Sequence, residues 1–235
     1  MERLQKVIAN SGLTSRRKAE ELIKEGKVKV NDITIKDLGT KVKDTDIIEV
    51  NGEILKKEEK VYFLLNKPRE VLSTTKDDKG RKTVVDLIDT DKRVFPVGRL
   101  DYDTTGALLI TNDGEFSNIL THPKNKIPKE YIVKLDRVIS KEDILKLKKG
   151  IILDNKKIIP DKVKLKKINE NGSCIVDIII HDGLNHEVKR LFSSLKYDVI
   201  KLKRESISIF SIKNMASGTY RELTPKEVKI IYSIK

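Results

Sequence analysis

The stretch "GRLDYDTTGALLITNDG", residues 98–114, decides how the chain is read. Arg99 stands two residues before Asp101, Asp103 follows, and the segment closes into the apolar run 107–110. A Gly- and Thr-rich turn is an ordinary place for an Asp, whose carboxylate accepts hydrogen bonds from nearby backbone N–H groups. Two chemical roles compete with that structural one. Asp101, Asp103 and Asp113 could hold Mg²⁺ in a nuclease-like site. Alternatively, Asp101 alone is a reactive carboxylate, kept ionised by Arg99 and by a cation from elsewhere in the chain. The run "ALLIT" separates Asp113 from the other acids by roughly 17 Å at ~3.3 Å per residue, so the trio does not converge locally.

The texture changes on moving toward the amino end. Leu4, Val7 and Ile8 have helical spacing and stop before Gly12. Thr14 or Ser15 then caps a second helix, "SRRKAEELIKEG", with Ala19, Leu22 and Ile23 on one face and Gly26 ending it. The short segments "KVKVN", "ITIKD" and "DIIEVNG", bounded by Asn, Asp or Gly, predict a small sheet under the two helices. "GEILKKEEK" reads as a polar connector. Beyond it, "VYFLLNK", "RVFPVGRL", "ALLITND", "EYIVKL", "CIVDIIIH" and "DVIKLKRESISIF" predict longer strands. "SKEDILKLKKG" predicts a helix capped by Ser140 with Asp143, and "NHEVKRLFSSL" one that buries Val188, Leu191, Phe192 and Leu195. The predicted class is α+β with a mostly antiparallel sheet, in two domains spanning 1–60 and 61–235.

Charge points to the partner. The 235 residues carry 49 Lys and Arg against 36 Asp and Glu, a formal net charge of +13. Residues 1–31 hold eight cations against four acids, and 184–204 hold six against two. Arg16, Arg17 and Lys18 open a helix, where positive charge opposes the helix dipole and costs on the order of 0.3–1 kcal/mol each. A phosphate would remove that conflict. His186, Lys189, Arg190 and Ser193 repeat the arrangement on the helix near 190. With aromatics at 5% and no DNA-reading helix or zinc spacing, folded RNA read by shape and backbone fits best. The lone Cys174 fits a reducing compartment, no apolar run has membrane-span length, and the amino end is unlike a signal peptide. A cytoplasmic protein without metal or cofactor is predicted.

These residues carry a resemblance. "GRLDYDTTGALLITNDGE" is similar to the active-site motif of the RsuA/RluB family of bacterial ribosomal-RNA pseudouridine synthases. "RLQKVIANSGLTSRRKAEELIKEGKVKVN" resembles the S4 RNA-binding module that precedes the catalytic domain there. "LLNKP", "THPKNKIPKEYIVKL", "HDGLNHEVKRLF" and "GTYRELTPKEV" follow in the family's order. The resemblance implies an isomerase that breaks the C1′–N1 bond of a uridine, turns the base and rejoins it through C5, with no cofactor. Asp101 is then the catalytic carboxylate, acting as nucleophile at C1′ or as base at C2′, Tyr131 the residue at the flipped uracil, and Lys189 the cationic residue that pairs with Asp101. RNA contacts are expected from Arg3, Ser15, Arg16, Arg17, Lys18, Lys27 and Asn31 in the S4-like module. In the catalytic domain they are expected from Lys67, Arg99, Asn185, His186 and Arg190. Leu184, His186 and Glu187 depart from the Gly-Arg-Asn-Arg-Gln that the third block often shows. The overall texture is closest to large-subunit members. It implies a uridine in a folded stem-loop of 23S rRNA, as naked RNA or a pre-ribosomal particle, and a monomeric enzyme. A 16S target or a non-catalytic ribosome-assembly factor are the alternatives.

Overall fold

The computed structural model describes residues 1–234, and the chain divides into two compact units. The smaller comprises residues 1–61 with 90–93 and 112–114, and the larger the remainder.

In the smaller unit the two predicted helices form at Leu4–Asn10 and Arg16–Lys24. Ser15 caps the second by accepting the Lys18 N–H at 3.2 Å. Leu4, Ile8, Ala19 and Ile23 meet Val28, Val42, Ile48 and Val50 in one core. Strands Val28–Val30, Ile33–Ile35 and Ile48–Val50 appear as predicted, in antiparallel pairs. Two details differ from the sequence reading. Glu2–Arg3 leaves the helix to pair with Lys41–Val42, and Glu53–Ile54, read as connector, adds an edge strand to Ile48–Val50.

The larger unit is built on one sheet. Among the described residues its strands run in the spatial order Lys162–Ile168, Cys174–Ile180, Lys129–Leu135, Val199–Ile207, Thr105–Thr111, Tyr62–Lys67 and Tyr220–Glu222. Neighbours are antiparallel except Val199–Ile207 beside Thr105–Thr111, where Lys203 faces Thr105 and Arg204 faces Gly106 in parallel register. "RVFPVGRL" contributes only the short strand Phe95–Pro96, because Gly98 turns the chain with φ +73°. Several elements absent from the sequence reading complete the unit, among them the strand Tyr220–Glu222, the hairpin Ile151–Leu153 with Lys156–Ile158, and three larger ones. The larger ones are the strand Lys162–Ile168 and the helices Gly114–Thr121 and Pro225–Tyr232, the last closed by a Thr224–Glu227 capping box.

Alternation along the strands sorts the side chains. Tyr131, Val133 and Leu135 are buried on one face, while Glu130, Ile132 and Lys134 stay partly exposed on the other. Leu64, Ala107 and Leu109 pack with Phe116, Ile119 and Leu120 of the helix Gly114–Thr121.

The parallel joint requires glycine. Gly106 has φ +114°, and a Cβ there would lie 2.1 Å from the Arg204 carbonyl oxygen, which is backbone and cannot swing away. Gly106→Ala is therefore expected to cost at least ~3 kcal/mol, read as a lowered urea midpoint. An unchanged midpoint would contradict the close approach of these strands.

Candidate active site

The loop from Gly98 to Thr104 is fixed from beneath by an unusual group. Lys67 ends the strand Tyr62–Lys67 with no exposed surface. Its ammonium donates to the carbonyl oxygens of Pro68 at 3.0 Å, Asp101 at 3.1 Å and Thr104 at 3.0 Å, with that of Tyr102 at 3.5 Å. Burial pushes its pKa down to about 8, against the opposing pull of Asp103 and Asp101. Further ties hold the loop. Ser73 Oγ donates to the Leu100 carbonyl at 2.8 Å and accepts the Leu100 N–H at 3.1 Å, and the Glu70 N–H donates to the Tyr102 carbonyl at 2.8 Å.

With its backbone held, the Asp101 carboxylate meets the start of the helix Glu187–Ser194. Lys189 Nζ lies 3.2 Å from Asp101 Oδ2 and 2.7 Å from Asp103 Oδ1, bridging the two acids. His186 Nε2 lies 3.3 Å from Asp101 Oδ1, and Thr104 Oγ1 donates to Oδ2 at 3.4 Å. Burial works against the Lys189 charge, but the bonds to Asp103 and Asp101 outweigh it and hold the ammonium above its ordinary pKa. The Lys189 bond in turn holds the Asp103 carboxyl below the usual range. The cation on Asp101 is thus Lys189 and not Arg99, which is exposed and makes no ion pair with it.

Beside this carboxylate opens a cleft of about 200 Å³, with Asp101, Tyr131, His186, Glu187, Lys129 and Arg204 in its lining. Tyr131, 8% exposed, stands between Arg204 and Ile178 on the adjacent strands. Arg99, Asn185 and His186 line a second depression at the mouth, which shares Asp101 with the cleft. The expected catalytic trio and these three RNA-contact residues therefore come together.

Of the other expected contacts, Lys67 and Asn31 do not fit the reading, while those in the helices of the smaller unit remain open to solvent. Lys67 cannot reach a phosphate, because it is fully buried and bonded to the loop carbonyls. Arg190 is paired with Asp154 through two bonds of 2.7 and 2.6 Å on the exposed surface. In the smaller unit Arg3, Arg16 and Arg17 are exposed without an acidic partner among the described residues. Lys18 pairs with Glu21 and Lys27 with Glu25, both at 2.7 Å, though exposed pairs this weak would yield to a phosphate. Asn31 is occupied by the loop before the strand Ile48–Val50, its Oδ1 accepting the Ile47 N–H at 3.0 Å and its Nδ2 reaching Asp46 at 3.2 Å.

Sequence reasoning missed three charged groups in the cleft wall. Lys129 lies two residues before Tyr131 and so on the same strand face, a signal that could have found it. Its Nζ donates to the His181 and Asp182 carbonyls at 2.9 and 3.1 Å, and burial pushes its pKa down to about 8. Arg204 alternates with Leu202 on the inward face and donates from Nε to the Ala107 carbonyl at 2.7 Å. Glu187, noted only as a departure from the family pattern, is 5% exposed and accepts the Leu184 N–H at 3.1 Å.

Burial, with the negative charge of Asp182 adding to it, pushes the Glu187 carboxyl up to about 7. The folded state then binds a proton that the unfolded chain has released, so stability falls as pH rises from about 4.5 to about 7. Glu187→Gln keeps the acceptor and removes the charge. We expect it to be more stable than wild type by about 2–3 kcal/mol at pH 8, with the gap closing toward pH 4.5. Parallel urea titrations at the two pH values check this, and a gap that does not vary with pH would refute it.

Comparison with known proteins agrees with this geometry. The model of the family described as RNA pseudouridylate synthase matches residues 61–194, and that of the S4 domain matches residues 2–48. Ribosomal large subunit pseudouridine synthase B of Bacillus subtilis is 52% identical over 97% of this chain and 95% of its own length. An uncharacterized RNA pseudouridine synthase of Aquifex aeolicus is 39% identical over 98% of this chain and 93% of its own. A pseudouridylate synthase crystal structure, 32% identical, superposes with a TM-score of 0.69 and covers 98% of this chain and 100% of that one. An S4 module, a sheet of this topology and an Asp-centred cleft thus occur together along one chain, which belongs to the RNA pseudouridylate synthase family.

Proposed function

We propose that the protein converts one uridine of large-subunit ribosomal RNA to pseudouridine. The observation that carries this reading is the Asp101 carboxylate at the cleft mouth, with Lys189 3.2 Å away and Tyr131 in the same cleft. The large-subunit target is supported by the name of the Bacillus subtilis relative and by the strength of that likeness.

The chemistry asks little of the protein beyond one charged acid and a dry, shaped site. The target uridine leaves its stack, which costs a few kcal/mol, and its sugar comes against Asp101. Asp101 acts on the sugar, as nucleophile at C1′ or as base at C2′. In either role the C1′–N1 bond breaks and the freed uracil turns; C5 then bonds to C1′ as the Asp101 ester breaks or as the proton returns to C2′, and the proton on C5 departs while N1 takes one up. A single carboxylate suffices because no water is added, unlike the carboxylate pair of a glycoside hydrolase. Lys189, tied to Asp103 as well as to Asp101, offsets the carboxylate charge and fixes its position. Tyr131 packs against the uracil and takes part in proton movement at C5.

Arg99, Asn185 and His186 hold the nucleotides around the flipped base. In the module at residues 1–60, Arg3, Arg16 and Arg17 with Lys18 and Lys27 bind RNA remote from the target, while residues 61–235 carry the chemistry. The enzyme acts as a monomer in the cytoplasm, on a folded stem-loop in free rRNA or in a pre-ribosomal particle. Among the described residues no helix is long and apolar enough to cross a membrane.

Transcripts of 23S and 16S rRNA carrying tritium at uridine C5 test the reading, because closing the new C5 bond releases that tritium to water. Wild type is expected to release the equivalent of one site from 23S RNA and none from 16S. Asp101→Asn should release none while binding 23S RNA as tightly as wild type. Lys189→Met should lower the rate by at least ~100-fold, the scale of one lost electrostatic contact at a reacting centre. Release from 16S RNA alone would move the target to the small subunit. No release from either would favour a binding factor.

A further inference from the structure

The uridine cleft lies on one face of the catalytic sheet, and the opposite face has a character of its own. Register identifies the residues on it. Ile132 stands directly opposite Asp177 on one neighbouring strand and Lys203 on the other. Lys134 stands opposite Ile175 and Lys201, Lys164 opposite Asp177, and Lys167 opposite Ile175. Lys164, Lys166, Lys167 and Lys201 are exposed, and Lys134 and Lys203 are partly so. Arg69 and Asp103 border a depression on this face that Ile132, Lys134, Ile175, Lys201 and Lys203 line.

Acids offset only part of this charge. Asp177 takes Lys162 at 2.8 Å and Lys166 at 3.1 Å, and Glu205 takes Lys203 at 2.9 Å. Lys134, Lys164, Lys167 and Lys201 have no acidic partner among the described residues. Lys134 and Lys201 are moreover a direct cross-strand pair. Like charges so placed, with Cβ atoms about 5 Å apart, weaken a sheet, where a Thr or an opposite charge would strengthen it. Folding alone therefore disfavours this pattern, whereas a polyanion lying across the strands would relieve it. Ile132 and Ile175 line the same depression as these lysines, which makes a cationic surface with an apolar floor, suited to a phosphate backbone rather than to base-edge readout.

We propose that this face, centred on Lys134, Lys201 and Lys164, binds the phosphate backbone of ribosomal RNA outside the target stem-loop. The proposal rests on the reading of the protein as an rRNA enzyme and adds a second RNA contact, on the side of the sheet away from the uridine. It gives the enzyme a means of preferring its stem-loop within long rRNA over the same stem-loop in isolation. Contacts of this kind act through charge, so they tighten binding at low salt and leave the chemical step alone.

The test compares wild type with the triple variant Lys134→Gln, Lys164→Gln and Lys201→Gln on a long 23S transcript and on the isolated target hairpin. Binding is read by fluorescence anisotropy across a salt series, and turnover by tritium release. For the long transcript we expect about tenfold weaker binding and a log–log salt slope shallower by about 2–3, near 0.9 per lost phosphate contact. For the hairpin, affinity and kcat should match wild type. An unchanged affinity and slope on the long transcript would overturn the proposal. So would unchanged RNA binding together with lost binding to polyglutamate, which would assign the face to an acidic protein. The single variants Lys134→Gln and Lys201→Gln, each expected to lower the slope by about 1, keep the test decisive if the triple variant misfolds. Because binding is read without turnover, a wild type that binds RNA but makes no pseudouridine would sink the enzymatic reading while still deciding this one.

Discussion

Lys67 brings a charged side chain into the interior of the catalytic unit with no carboxylate bonded to it. Such a group is costly to bury unless each of its protons finds an acceptor. Here the acceptors are main-chain carbonyls of the loop that carries Asp101, gathered around one nitrogen. The same bonds that make the buried charge tolerable leave the loop one arrangement. The backbone under Asp101 is thereby placed before any RNA arrives, as catalysis by a positioned group requires. Burial works against this arrangement, pushing the Lys67 pKa down to about 8.

Around that anchor the sheet brings distant parts of the sequence together. Thr105–Thr111 leaves the loop and lies parallel to Val199–Ile207, so that Gly106 meets Arg204 with no room for a side chain between the backbones. Arg204 then bonds the Ala107 carbonyl, and Tyr131 comes beside it from the next strand. The helix Glu187–Ser194 buries Val188, Leu191 and Phe192, and its other side turns Lys189 to the two acids. The cleft walls thus depend on ordinary apolar packing and on a few buried charges. Glu187 shows the cost of the second kind, since its carboxyl is held near neutrality by the same burial.

Much of this was legible in the sequence because it rests on local rules. Ser15 and Ser140 cap the helices they precede, and the apolar spacing of both amino-terminal helices marks the faces that are buried. The motifs around Asp101, Tyr131 and Lys189 singled these residues out, and their proximity is a property of the fold. The strand Lys162–Ile168 escaped because "KVKLKKI" looks like a solvated charge run, although its alternation places Val163 inward. Lys67 was read as a phosphate contact because lysine is almost never fully buried, and nothing local shows that four carbonyls surround it. The Gly106–Arg204 joint was invisible for a different reason. Parallel pairing between segments so far apart in the chain is set by the whole topology, and a glycine in a Thr-rich turn is already explained locally.

The central claim is that Asp101, held by Lys67 and paired with Lys189, isomerises a uridine of ribosomal RNA. Carbodiimide mapping of pseudouridine across the 23S and 16S rRNA of cells with and without this protein tests it most directly. The account predicts that one 23S position loses its modification, is restored by wild type and is not restored by Asp101→Asn. An rRNA modification pattern that is the same in both cells, or a site restored equally well by Asp101→Asn, would contradict it.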